Sequence, residues 1–258
     1  MLDRRREIIA KVASGELSPE EAASRLEETE VEAAPSAEAT PSLAAPAGIE
    51  AVRVVADFGS VRIYGDASVA GAIAEGPHAA EQDGSTLVIN GWLGGLGGFV
   101  FGRRGRRRVR IGGDHGEDRI DVRMNPRLRL ILDVKAGDVR VDGIEGPIEA
   151  DVLAGELRID RFRAPIDINL KAGEVRASGR LDHGASHIRC SAGSVRLELE
   201  KGSSVRVQAR TTMGNVDLDD DQPTAMIGGG PVERVIGAGA ATLEIDATMG
   251  DVRVRTDR

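Results

Sequence analysis

The chain is poor in aromatic side chains: one Trp, one Tyr and four Phe among 258 residues. Aromatic rings usually supply much of the bulk of a large globular core, so this core must be built from Val, Ile, Leu and Ala. With hydrophobic residues at 41% there is enough apolar material for one. A single cysteine, Cys190, rules out an internal disulfide framework. It stands in phase with Ile188 and Ala192, which marks it as a small core residue and not a nucleophile. No uninterrupted apolar run reaches the roughly 18 residues of a membrane-spanning helix. A net charge of −8 argues against general nucleic-acid binding. The opening Met1-Leu2-Asp3-Arg4-Arg5-Arg6 has no apolar stretch like that of a secretion leader, which gives a cytoplasmic expectation.

Catalytic signatures are equally scarce. There is no phosphate-binding loop, no nucleophile elbow and no dinucleotide fingerprint in a strand–helix context. Of four histidines, His183 and His187 are four apart, but Gly184-Ala185-Ser186 between them belongs to a strand connection, where that spacing does not place both on one face. Asp217, Asp219, Asp220 and Asp221 form an acidic knot without the regular spacing of a calcium loop. These absences lead to the expectation of a non-enzymatic protein with no cofactor and no metal.

What the sequence does have is one phrase written seven times. It reads Phe-Gly-Ser-Val-Arg-Ile at 58–63, Ala-Gly-Asp-Val-Arg-Val at 136–141 and Ala-Gly-Glu-Leu-Arg-Ile at 154–159. It continues as Ala-Gly-Glu-Val-Arg-Ala at 172–177, Ala-Gly-Ser-Val-Arg-Leu at 192–197, Met-Gly-Asn-Val-Asp-Leu at 213–218 and Met-Gly-Asp-Val-Arg-Val at 249–254. The glycines are Gly59, Gly137, Gly155, Gly173, Gly193, Gly214 and Gly250; from Gly137 to Gly214 the steps are 18, 18, 20 and 21. A nearly constant step of this size is the mark of stacked repeats that bury their apolar sides on their neighbours.

Apolar residues alternate on both sides of each glycine, but the phase slips by one residue at the glycine itself. Leu132, Val134 and Ala136 precede Gly137; Val139 and Val141 follow it. Two half-buried strands with a change of direction between them explain the slip. Ala, Met or Phe before the glycine disfavours a two-residue hairpin, in which both central residues need positive φ. A bend with only the glycine at positive φ, as in a type II turn, fits better and favours a β-solenoid with corners over an antiparallel meander. Three residues after each glycine stands Arg62, Arg140, Arg158, Arg176, Arg196 or Arg253, with Asp217 as the exception. The same face carries Asp138, Glu156, Glu174 and Asp251. The column reads either as an anion-binding stripe or as a self-neutralised ladder.

The periodicity predicts three parts. Residues 1–30 form a two-helix module, in which Gly15 ends one helix and Ser18-Pro19-Glu20-Glu21 caps the next. Its single apolar seam suits a protein partner, self-association or docking on the β-body. The acidic second helix disfavours a DNA-reading role. Residues 31–48, rich in Ala, Pro, Ser, Thr and Glu, form a flexible linker. Residues 49–258 form the β-body: mainly β, a β-solenoid of single-stranded β-helix type. An irregular Gly- and Arg-rich insertion interrupts it at about 90–116. That insertion joins Trp92, Phe99 and Phe101 to six arginines, Arg103, Arg104, Arg106, Arg107, Arg108 and Arg110. Aromatic residues beside a basic run suit an anionic membrane surface, or less well nucleic acid; the plain alternative is a hairpin kept soluble by its charge.

The glycine corners over residues 49–258 resemble a bacterial β-strand-repeat family of unknown function that often carries the label "putative adhesin". The stretch from Arg6-Glu7-Ile8-Ile9 to Ser18-Pro19-Glu20-Glu21-Ala22-Ala23 resembles the short helical module found at the start of that family's cytoplasmic members. The resemblance implies a solenoid-like body and carries no catalytic residues to transfer. It associates some relatives with cell-envelope stress. The resulting expectation is a cytoplasmic structural or interaction protein, peripheral to the inner face of the membrane, whose partners dock on residues 1–30 or on the solenoid ends. The alternatives are an exported adhesin-like protein and a DNA-associated regulator.

Overall fold

The computed structural model describes residues 48–91, 109–111, 119–218, 224–225 and 230–257. The predicted helical module, the linker up to residue 47 and most of the Gly- and Arg-rich insertion lie outside the described residues. The rest is β-structure: β1 (Ala51–Gly65), β2 (Ala72–Glu75), β3 (His78–Asp83), β4 (Thr86–Gly91), β5 (Val109–Ile111) and β6 (Arg119–Met124). Then come the long strands β7 (Arg129–Asp142), β8 (Ile148–Phe162), β9 (Ile166–Gly179) and β10 (Ala185–Leu199). The chain finishes with β11 (Val205–Met213), β12 (Asn215–Leu218), β13 (Thr224–Ala225), β14 (Val232–Ile236), β15 (Ala241–Met249) and β16 (Val252–Thr256).

Each repeat contributes one bent strand, and successive strands lie parallel and in register. Leu130 pairs with Ile148, Gly137 with Gly155 and Val141 with Ile159; the same pattern carries β8 to β9 and β9 to β10. The glycine is therefore not the centre of a type II turn between two strands. In β1 and β7 to β10 the ladder runs straight through it. All seven glycines have positive φ, between 102° and 143°. That backbone state turns the next peptide over, so the buried set changes parity while inter-strand pairing continues. A side chain has no room there either: a Cβ on Gly137, Gly155, Gly173 or Gly193 would overlap the carbonyl of the glycine in the layer below.

The layer order departs from the chain order at both ends. β15 and β16 insert between β10 on one side and β11 with β12 on the other: Ile188 pairs with Ile245 and Val195 with Val252, while Val207 pairs with Leu243 and Val216 with Val252. The last copy of the phrase is thus an inner layer of the stack, although it stands last in the chain. At the opposite end β1 lies between β7 and a split layer made of β4 and β6. The interval that breaks the written period therefore supplies one more layer. Its two halves stop at Gly91, beside Ala56, and start again at Arg119, beside Ser60, so the break falls where the other layers place their glycine. Antiparallel strands cover both outermost layers, β3 on β4 and β2 on β6, then β14 on β11 and β13 on β12. Such covering strands replace the open parallel edge of a bare stack.

The core is a set of columns. Val54, Leu132, Ala150, Ile168, Ile188, Ile245 and Ala209 form one before the bend; Val61, Val139, Leu157, Val175, Val195, Val252 and Val216 form one after it, all buried. Burying each Val, Leu or Ile contributes about 1.5–3 kcal/mol. Cys190 fills a gap between Leu170 and Ala247, where burial pushes its thiol pKa up.

Candidate functional site

The face after the bend carries three outward columns in strict register. The central one runs Asp121, Arg62, Arg140, Arg158, Arg176, Arg196, Arg253, Asp217 from one end of the stack to the other. The column next to the bend runs Ser60, Asp138, Glu156, Glu174 and Ser194; the far column runs Tyr64, Asp142, Asp160, Ser178 and Glu198. Layers about 4.8 Å apart would set arginines against one another. The flanking acids relieve this. Arg158 Nε donates to Asp160 at 2.7 Å; Arg176 donates to Glu174 at 2.9 Å and lies 3.3 Å from Glu156. Arg196 also pairs with Glu174. The hydrogen bond from Arg176, with the nearby Arg196 charge, holds the Glu174 pKa below the ordinary range against the opposing effect of burial.

At the far end Asp217 replaces arginine, and its side chain is only 9% exposed. It accepts from Arg253 Nε at 3.3 Å and Arg255 Nη2 at 2.8 Å, both through Oδ2; Oδ1 is buried and has no partner among the described residues. Ser194, Arg196, Asn215, Asp217, Asp251 and Arg253 line a surface pocket of about 240 Å³ beside it. The rest of the acidic knot, Asp219, Asp220 and Asp221, lies outside the described residues.

Arg62 and Arg140 differ from the rest of the ladder. They are register partners, and among the described residues neither has a carboxylate within ion-pair distance. Three departures from the repeat take acids away from this pair, and Asp138, the flanking acid that remains, forms no ion pair with either arginine. Ser60 and Tyr64 stand where other layers carry acids. Asp142 is taken by Arg161, whose Nε donates to Oδ1 at 2.7 Å and Nη2 to Oδ2 at 2.5 Å. Arg161 is the non-glycine residue with positive φ among those described, at 57°. It is the extra residue of a bulge between Asp160 and Phe162. The sequence column contained the signal, Ser60 and Tyr64 in acidic positions, but Arg161 is visible only in the fold.

The other predicted residues are scattered. His183 Nδ1 sits 2.6 Å from Asp182 and His187 Nδ1 lies 3.4 Å from Glu244, so the two rings have different partners. Among the described residues no group of three or more His, Cys, Asp or Glu could hold a metal ion, and no helix is long and apolar enough to cross a membrane. Trp92, Phe99, Phe101, Arg103, Arg104, Arg106, Arg107 and Arg108 lie outside the described residues. The backbone of Arg110 falls in β5, opposite Ala79. On the face before the bend, Arg53–Asp133 and Lys135–Asp57, each at 2.6 Å, form a second mixed ladder. It flanks a shallow groove of about 250 Å³ containing the exposed Leu153.

In-register parallel strands, a column of glycines at the bend and charge ladders on the outside define a solenoid-like β-repeat protein. The sequence profile of the Toastrack DUF4097 family matches residues 3–255, and the chain belongs to that family. Among curated proteins none matches it. Among solved structures it is similar to a "putative cell adhesion protein" from Clostridium sporogenes, at 14% identity and a TM-score of 0.40, covering 82% of this chain and 95% of that one.

Proposed function

We propose that this protein is a non-enzymatic scaffold: a stiff β-solenoid of single-stranded β-helix type that presents charged faces, with residues 1–30 tethered to it as a recruiting module. The observation that carries the reading is the unbroken parallel register from β4 and β6 through to β11 and β12, covered at both ends. Such a body resists bending and offers extended flat surfaces, properties that suit display and assembly better than the enclosure of a small substrate.

The second part of the proposal concerns location. The described body ends one half-layer at Gly91 beside Ala56 and resumes it at Arg119 beside Ser60, with β5 paired to β3 between them in sequence. Trp92, Phe99 and Phe101 would enter the interfacial layer while Arg103, Arg104, Arg106, Arg107, Arg108 and Arg110 meet anionic headgroups, each adding about 1 kcal/mol near the surface. On this reading the protein would work at the inner face of the membrane, in envelope-stress signalling. Co-sedimentation of the full chain with vesicles tests it. Binding to vesicles containing phosphatidylglycerol, but not to phosphatidylcholine alone, is expected, with loss on raising salt or on changing Arg103, Arg104, Arg106, Arg107 and Arg108 to Ser. Absence of binding to the anionic vesicles at low salt removes the membrane part of the reading.

A further inference from the structure

We propose that Arg62 and Arg140, with Tyr64 beside them, form a binding site for a phosphate group. Elsewhere the ladder is arranged so that its arginines are neutralised by flanking acids. At this one step three of the four flanking positions lack a free acid, with serine at position 60, tyrosine at 64 and Asp142 held by Arg161, and Asp138 is the one carboxylate left beside the pair. Arg161 makes this contact from the bulge, at φ 57°, a backbone state that non-glycine residues rarely adopt. A ladder needing only neutrality would let Asp142 turn to Arg140 two residues away.

Two guanidinium groups on adjacent strands, about 4.8 Å apart at the backbone, present parallel N–H forks to one oxyanion. Arginine suits this better than lysine because its fork matches two oxygens of the same group. Tyr64, 40% exposed, adds a phenolic donor in the row beside Arg62. A singly charged anion would meet Asp121 and Asp138 in the neighbourhood as well. Asp121 is engaged by Arg119 at 2.8 Å, which leaves Asp138 as the carboxylate opposing the ligand on the near side. A phosphate dianion overcomes one exposed carboxylate more readily than a monoanion does, so the site favours a terminal phosphate. The group is supplied either free in solution or by a lipid with a phosphomonoester headgroup.

The test uses the full chain labelled with nitrogen-15. Inorganic phosphate is titrated at constant ionic strength while the arginine Nε–Hε resonances are followed, with Arg62→Gln and Arg140→Gln used for assignment. Saturable shifts of those two resonances, at least tenfold stronger than those caused by chloride, are expected. Tyr64→Asp restores the acid found in other layers and should weaken binding at least tenfold. Thr248→Asp, which adds the same charge on the other face, should not. A parallel titration compares vesicles bearing phosphatidic acid with vesicles bearing equal charge as phosphatidylglycerol, using the variant in which Arg103, Arg104, Arg106, Arg107 and Arg108 are Ser. Selective, Tyr64→Asp-sensitive binding to phosphatidic acid alone would identify a lipid headgroup as the source. Uniform shifts of all arginines with no headgroup preference, or equal weakening by Thr248→Asp and Tyr64→Asp, overturns the site.

Discussion

Gly250 stacks on Gly193, although Gly214 lies between them in the chain. A Cβ on Gly250 would overlap the Gly193 carbonyl, and one on Gly214 would overlap that of Gly250. The final segment of the body therefore closes the fold from within. At the other end β1 is likewise an inner layer, between β7 and the pair β4 and β6. Both chain ends of the body are held by neighbours on two sides, and the outermost layers come from internal segments. In a simple repeat array the terminal unit is the least supported. Here the first and last strands of the body are not the ends of the stack.

Ending the chain after Gly239 tests this arrangement. The deletion removes β15 and β16, the layer on which β11 and β12 rest. Residues 205–218 should then lose their amide-exchange protection, while β7 to β9 keep theirs. A truncated protein in which 205–218 stay as protected as in the full chain would contradict the layer order.

The glycine column yields a second expectation. Gly155 has φ +132°, and a Cβ there would strike the Gly137 carbonyl, which belongs to the ladder and cannot swing away. Gly155→Val should cost more than about 2 kcal/mol, from backbone strain and the displaced strand. Gly84 is the control: it has φ +62° and open space where a Cβ would sit, in the turn between β3 and β4. Gly84→Asn should cost under about 1 kcal/mol, since asparagine tolerates this region. Urea unfolding midpoints of the two variants distinguish the cases.

The period, the glycine column and the outward arginines were legible because each is written into every repeat. The split layer was not, because Leu87 and Ile89 are separated from Ile120 and Val122 by the insertion and no copy of the repeated phrase marks the joint. Intercalation of the last copy was invisible for a related reason. Val252 matches the column residues Val195 and Val216 equally well, so the pattern cannot say which it pairs with, and the structure pairs it with both. The strand-through-bend geometry also escaped a reading in terms of turn types, which assumes that a positive-φ glycine interrupts pairing. At the candidate site Ser60 and Tyr64 could be seen to depart from the acidic columns. Their consequence depends on Arg161, whose bulge leaves no periodic trace.

Acid should weaken the post-bend face in a definite pH window. The Glu174 carboxyl titrates below its ordinary value because Arg176 donates to it and Arg196 lies close. A folded-state pKa below the unfolded one means that protons prefer the unfolded chain. The stabilisation is therefore present above the unfolded value of about 4.3 and is lost as pH falls through the lower folded value. Glu174→Gln should lower stability at neutral pH and flatten its decline below about pH 4.3. Parallel stability–pH curves for parent and variant would argue against a stabilising role for this carboxylate.

Phe162 and Gly179 offer the sharpest test of packing. Phe162 is fully buried, the aromatic ring in the core of the described residues, and the Arg161 bulge turns it inward. It pairs across the layers with Gly179, and a Cβ there would lie 2.6 Å from Phe162 Cδ1 and 2.7 Å from Cγ. The missing side chain at 179 is thus the space the ring uses. Phe162→Leu alone should cost about 1–2 kcal/mol by leaving a cavity, and Gly179→Ala alone a similar amount by pressing on the ring. Together the smaller side chain at 162 makes room for the added methyl, so the double variant should be more stable than the sum of the two losses predicts, by at least about 0.5 kcal/mol. The Phe162 carbonyl lies 2.3 Å from the same Cβ position and accepts from Arg180 N at 2.9 Å, so part of the Gly179→Ala cost persists in either background. Strict additivity in a double-mutant cycle measured by urea unfolding would mean that the ring is not what excludes a side chain at position 179.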